Sequence, residues 1–137
     1  MPWDVNKAVK HLQTHAGPGF GVGKCATFVR EAIEAGGATI SRAGSGSAKD
    51  YGPRLVQAGF VVQTGTVVTY LKGDVALIDG FDADPENGIG KSHPHGHLAM
   101  WDGTIWISDF KQTHGNSPYP GTDYVKAAPS IVIYRHP

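Results

Sequence analysis

The stretch Gly96-His97-Leu98-Ala99-Met100-Trp101-Asp102-Gly103-Thr104-Ile105-Trp106-Ile107-Ser108-Asp109-Phe110 decides the fold. Two runs of strand-forming residues, 97–101 and 104–108, flank Asp102-Gly103, a dipeptide suited to a tight turn with positive φ, and the pattern predicts an antiparallel hairpin. Upstream, Asp74-Val75-Ala76-Leu77-Ile78 is a short apolar run suited to a buried strand, led in by Phe60-Val61-Val62. Downstream, Ser130 to Tyr134 reads as the closing strand.

The N-terminal third has the other periodicity. From Trp3 to His15, Val5, Ala8, Val9 and Leu12 recur at helical spacing behind Asp4, a suitable N-cap. Lys24 to Ala35 repeats the pattern with Ala26, Val29, Ala32 and Ile33. An Arg30–Glu34 pair supports that helix, and Gly36-Gly37 ends it. Ala48 to Ala58 predicts a third helix bent at Pro53, with Leu55 and Val56 facing inward. Helices first and strands after is the α+β pattern, with N-terminal helices packed on an antiparallel β-sheet. The 137 residues fit a single domain, 1–137, without internal repeats. Ser41–Gly46, Asp82–Gly96 and Gln112–Thr122 remain as loops.

Composition narrows the function. With 12 Lys+Arg against 12 Asp+Glu and no basic block, the chain lacks the footprint of a nucleic-acid binder. No run approaches the roughly 20 apolar residues of a membrane span, so no span is expected. Met1 to Lys7 lacks the layout of a secretory leader, so any action outside the cytoplasm is expected to use another route. A single cysteine excludes an internal disulfide and leaves Cys25 structural, incidental or reactive.

Cys25 follows a glycine-rich loop, Gly17 to Gly23, and stands at the first turn of a helix. The orphan N–H groups and partial positive charge there, with Lys24 alongside, favour a thiolate and a lowered thiol pKa. Gly23-Lys24 also looks like the end of a phosphate-binding loop. Pro18 and Cys25 break that motif where it needs glycine and a hydroxyl.

His93-Pro94-His95-Gly96-His97 places three imidazoles at alternating positions. A zinc site built from His93, His95 and His97 is one reading. The other singles out His97, which opens a strand and is held rigidly enough for acid–base work, with no metal or cofactor required. His95 takes that place if the strand begins earlier. A base also needs a group to orient it. Asp109 meets this need if the hairpin loop has three residues, which puts Asp109 on the face of His97. With a two-residue turn and no bulge, Ser108 is the candidate instead.

Four features in this order resemble the CHAP and NlpC/P60 families of peptidoglycan amidases. They are the Gly23–Arg30 cysteine helix, Gly73-Asp74-Val75-Ala76-Leu77, Gly96-His97-Leu98-Ala99-Met100-Trp101, and Ile107-Ser108-Asp109-Phe110. The resemblance runs from about Gly23 to Phe110. It implies a papain-like domain, with Cys25 as nucleophile, His97 as general base and Asp109 as the orienting residue, cleaving amide bonds in peptidoglycan stem peptides. The small size and the Ser-Asp-Phe triplet also look like amidase effectors of the type VI secretion system. Those act in the periplasm or wall of a target bacterium and travel with a cognate immunity protein. Phage lysins, a non-catalytic wall- or partner-binding module on the same fold, and a His-rich metal hydrolase are the competing expectations.

Overall fold

The computed structural model describes residues 3–17, 24–42, 44, 46–65 and 69–137. Most of the glycine-rich loop, Pro18 to Gly23, lies outside them. Helix α1 (Val5–His15) starts at Asp4, whose carboxylate accepts from the Lys7 amide at 3.1 Å. Helix α2 (Cys25–Ala35) buries Ala26, Val29, Ala32 and Ile33, and carries the Arg30–Glu34 pair at 2.6 Å. Both helices present these apolar stripes to one core.

The third helical segment differs from its expectation. A 3-10 turn, Ala48–Tyr51, runs directly into α3 (Gly52–Gln57), with Pro53 in the first turn of α3. Proline is tolerated there because its missing N–H has no helical partner to lose, so Pro53 starts a helix where a bend was expected. Leu55 is buried as expected. Val56 points outward and is 53% exposed, because so short a helix has only one turn against the core.

Five strands follow: β1 (Val61–Gln63), β2 (Val75–Ile78), β3 (His97–Trp101), β4 (Trp106–Ile107) and β5 (Ile131–Arg135). They form one antiparallel sheet in the order β1-β5-β2-β3-β4, the last strand inserting between β1 and β2. The architecture is α+β. Val75, Leu77, Leu98 and Met100 meet the helices on one face. On the other face, Ala76, Ala99, Trp101, Trp106 and Ile133 form a second cluster with Tyr70 packed against it. Burial on both faces explains why β2 and β3 read as continuous apolar runs without alternation. Among the described residues, no helix is long and apolar enough to cross a membrane.

The hairpin loop is longer than either the two or the three residues expected. Trp101 pairs with Trp106 and Met100 with Ile107, leaving four residues, Asp102 to Ile105, in the loop. The Asp102 carboxylate accepts from the amides of both Thr104 and Ile105 at 2.7 Å, and Gly103 takes φ +107°. That side-chain cap supports the wider turn, a competition between side chain and backbone that a two-residue rule ignores. The ladder then stops at Ile107, before it reaches Ser108 or Asp109, so parity along the strand does not govern their placement.

Gly73-Asp74 at the entry to β2 is a structural anchor. Gly73 has φ +93°, and a Cβ there would collide with Val5. Asp74 is wholly buried and accepts from the Leu71 amide and, at 2.8 Å each, from Nε and Nη2 of Arg135 on β5. Such a bidentate pair locks β5 to the start of β2. Arg135→Leu leaves the Asp74 carboxylate buried without its cation and should lower stability by about 3 kcal/mol. A loss under about 1 kcal/mol in urea unfolding would contradict this role.

Candidate active site

Cys25 is the first residue of α2, and His97 the first of β3. Together with Asp109 they line one cleft of about 800 Å³. Of the alternatives, His93 and His95 line the same cleft and Ser108 does not. Ser108 is fully buried within the turn after β4. The three histidines of the 93–97 segment face three different partners. His93 Nε2 lies 3.7 Å from Asp123, His95 Nδ1 lies 2.6 Å from the Ser47 hydroxyl, and His97 Nε2 lies 2.8 Å from Gln112 Oε1. Among the described residues, no three His, Cys, Asp or Glu side chains are grouped so that they could hold a metal ion.

Gly96 makes the entry to β3 possible. Its φ is +70°, and a Cβ would strike the carbonyl oxygen of Ile78 on the neighbouring strand. Only glycine brings the backbone this close, and the next residue, His97, is thereby set at the strand end beside the cleft. Its imidazole is 6% exposed.

The partner that fixes this imidazole is Gln112, at the start of the segment expected to be a loop. Gln112 is 3% exposed and donates its amide Nε2 to the Pro118 carbonyl at 2.9 Å. A carbonyl can only accept, so the amide nitrogen belongs on Pro118 and its oxygen faces His97. His97 Nε2 must then carry a hydrogen, which leaves Nδ1 as the basic nitrogen. The signal that could have found Gln112 was chemical: a neutral amide can orient an imidazole, as in Cys-His-Asn sites.

Asp109 sits in a tight turn where Ser108 donates its amide to the Phe110 carbonyl at 3.0 Å. Its carboxylate accepts from the Lys24 amide at 3.0 Å, immediately before Cys25. Its own carbonyl accepts from Gly17 at 3.0 Å. Asp109 therefore supplies the cap that α2 lacks locally, since Lys24 makes no side-chain cap.

The electrostatics of Cys25 differ from expectation. Burial pushes the thiol above its ordinary pKa, and the negative charge of Asp109 acts in the same direction. Backbone N–H groups of Leu98, Ala26 and Cys25 itself oppose this by favouring the thiolate. Helix-end donors are present as predicted, but desolvation outweighs them, and Lys24 is exposed. His97 shifts the other way. Burial lowers it to about 4, against the opposing effects of Gln112 and Asp109 and with a small contribution from His93. Burial thus favours the uncharged form of both members of the pair.

Tyr124 completes the wall. It lies on α4 (Thr122–Ala127), a short helix that begins where the expected Gln112–Thr122 loop ends. The start signal was there, Gly121-Thr122-Asp123, but six residues are too few for periodicity to register. Its phenol is raised well above the usual range by burial and by Cys25, and it donates to the Gly96 carbonyl at 3.2 Å.

Fold and site together define a small α+β protein with a cysteine and an oriented histidine in one cleft. Its sequence and structure are similar to those of a chain in the type VI native effector–immunity complex Tae3–Tai3 from Ralstonia pickettii. The two share 42% identity over 98% of this chain and 100% of that one, with a TM-score of 0.80. A chain of the selenomethionine form of the same complex matches at 44% identity over 93% and 98%, with a TM-score of 0.75. The chain belongs to the Tae3–Tai3 effector–immunity family. No protein-family model and no curated protein matches it.

The displaced titration of His97 predicts a pH-dependent stability. Its folded pKa of about 4 lies below the ordinary 6.5, so between these values the unfolded chain binds the extra proton. The contribution is fully present above about pH 6.5 and is lost as pH falls toward 4, a change on the order of 3 kcal/mol. Urea midpoints measured across this window should fall more steeply in the native protein than in His97→Asn. Parallel slopes would remove His97 as the cause.

Proposed function

We propose that this chain is the effector of such a pair, a cysteine amidohydrolase that cleaves amide bonds in peptidoglycan stem peptides. The observation that carries the reading is the shared cleft of Cys25 and His97, with the imidazole held by Gln112 so that Nδ1 is the base. Inhibiting a partner requires no such arrangement, which favours the effector over the immunity side. The resemblance to CHAP and NlpC/P60 amidases supports the choice of substrate.

In this mechanism His97 Nδ1 removes the thiol proton as the sulfur attacks the scissile carbonyl. The N–H groups around the sulfur stabilise the charge while it forms, and the Asp109 carboxylate favours the imidazolium. The C–N bond then breaks and the imidazolium protonates the departing amine. His97 next deprotonates a water that hydrolyses the thioester, restoring the thiol. Gln112 keeps the imidazole in the required tautomer throughout, and Asp109 also ties the helix of Cys25 to the turn after β4. The chain acts in the periplasm or wall of a target bacterium, and a cognate immunity protein covers the cleft in the producing cell.

Incubation with purified sacculi, followed by mass identification of released muropeptides, tests this directly. Cys25→Ala should abolish release while keeping the fold, and Gln112→Ala should lower kcat about 100-fold. Release that persists in Cys25→Ala, or no release by the native chain, would overturn the reading. A second expectation concerns pH. Because the working pair begins neutral, the acid limb of kcat/KM should fall near pH 4, and a limb near 6.5 would contradict the buried neutral imidazole.

A further inference from the structure

We propose that His95, seated by Ser47, is a carboxylate-binding residue of the cleft, with Lys91 as a second cationic group lining the same cleft, so that the cleft takes an anionic peptide. The inference rests on the amidase reading for its substrate, and on the following geometry for its site.

His95 lines the same cleft as Cys25 and is exposed, yet it is firmly held. Its Nδ1 lies 2.6 Å from the hydroxyl of Ser47, which is only 6% exposed. Its carbonyl oxygen accepts from the Lys49 amide at 3.0 Å, so the backbone is pinned as well. With the Ser47 hydroxyl donating to Nδ1, Nε2 carries the ring hydrogen and is the donor left to meet a ligand. A side chain already fixed in this way loses little rotamer freedom on binding, whereas a mobile one must be ordered at a cost.

The charges around it point to an anion. Two carboxylates line the cleft, and each is engaged by protein donors. Asp109 accepts from the Lys24 amide at 3.0 Å. Asp123 accepts from the Gly90 amide at 3.1 Å, and its other oxygen lies 3.7 Å from His93 Nε2. Lys91, by contrast, is exposed on the cleft and has no ion pair or hydrogen bond among the described residues. A substrate therefore meets available donors at His95 and Lys91 and acids that are already satisfied. Carboxylates suit such donors because charge-assisted hydrogen bonds are the stronger kind.

The test uses Cys25→Ala protein, which cannot turn over substrate, and two probes. One is a soluble stem tetrapeptide with free carboxylates, the other the same peptide with those groups converted to carboxamides. Calorimetry should show the free-acid probe bound about tenfold more tightly. Adding His95→Gln should bring the two affinities within about threefold, His95→Lys should retain the preference, and Ser47→Ala should fall between. Thermal unfolding of each variant separates this from loss of fold, and His95→Lys supplies the decision if His95→Gln does not fold. An unchanged preference in His95→Gln, an equal loss for both probes, or no binding of either probe would overturn the proposal. Digestion of sacculi by the native chain separates the two readings. If sacculi are digested and His95→Gln keeps the preference, the amidase stands and the carboxylate seat falls. If sacculi stay intact and the preference depends on His95, the seat stands and the amidase falls.

Discussion

The bond from the Lys24 amide to the Asp109 carboxylate, 3.0 Å long, joins the start of α2 to the turn that ends β4. Through it a helix end with no cap of its own acquires an acceptor 85 residues away in sequence. The position of Cys25 against β3 depends on that junction, because the thiol is the next residue along. So does the mutual electrostatics: the same carboxylate raises the thiol and supports the imidazolium. One short side chain thus couples the helical layer to the sheet at the point where their chemistry meets.

Around this junction the two long polar segments form a wall. Helix α4 sits against the 88–96 segment through Tyr124 to Gly96, Asp123 to Gly90, and Lys126 to the Gly88 carbonyl at 3.2 Å. The rings of Phe81, His93 and Tyr124 pack together beneath these contacts. Local sequence carries little trace of such an arrangement, since the 88–96 partners lie in a segment that looks like a loop alone and α4 is too short to register as periodic.

That contrast explains what could be read beforehand. Periodicity exposed α1, α2, β2 and β3 because each buries a continuous stripe or both of its faces. Order along the chain brought Cys25 and His97 forward, and the structure sets both on one cleft. Turn length was misjudged because the Asp102 carboxylate competes with the backbone for Thr104 and Ile105. Thiol acidity was misjudged because desolvation is a property of packing, invisible in the neighbours Lys24 and Ala26. Gln112 was missed because its role exists only through contacts to His97 and Pro118.

The raised thiol of Cys25 has a consequence for redox chemistry. Peroxides and disulfides react with the thiolate, not with the protonated thiol, so burial that raises the thiol acts against oxidation, even for a half-buried sulfur that lines the cleft. As the only cysteine of the chain, it also has no internal partner with which to form a disulfide.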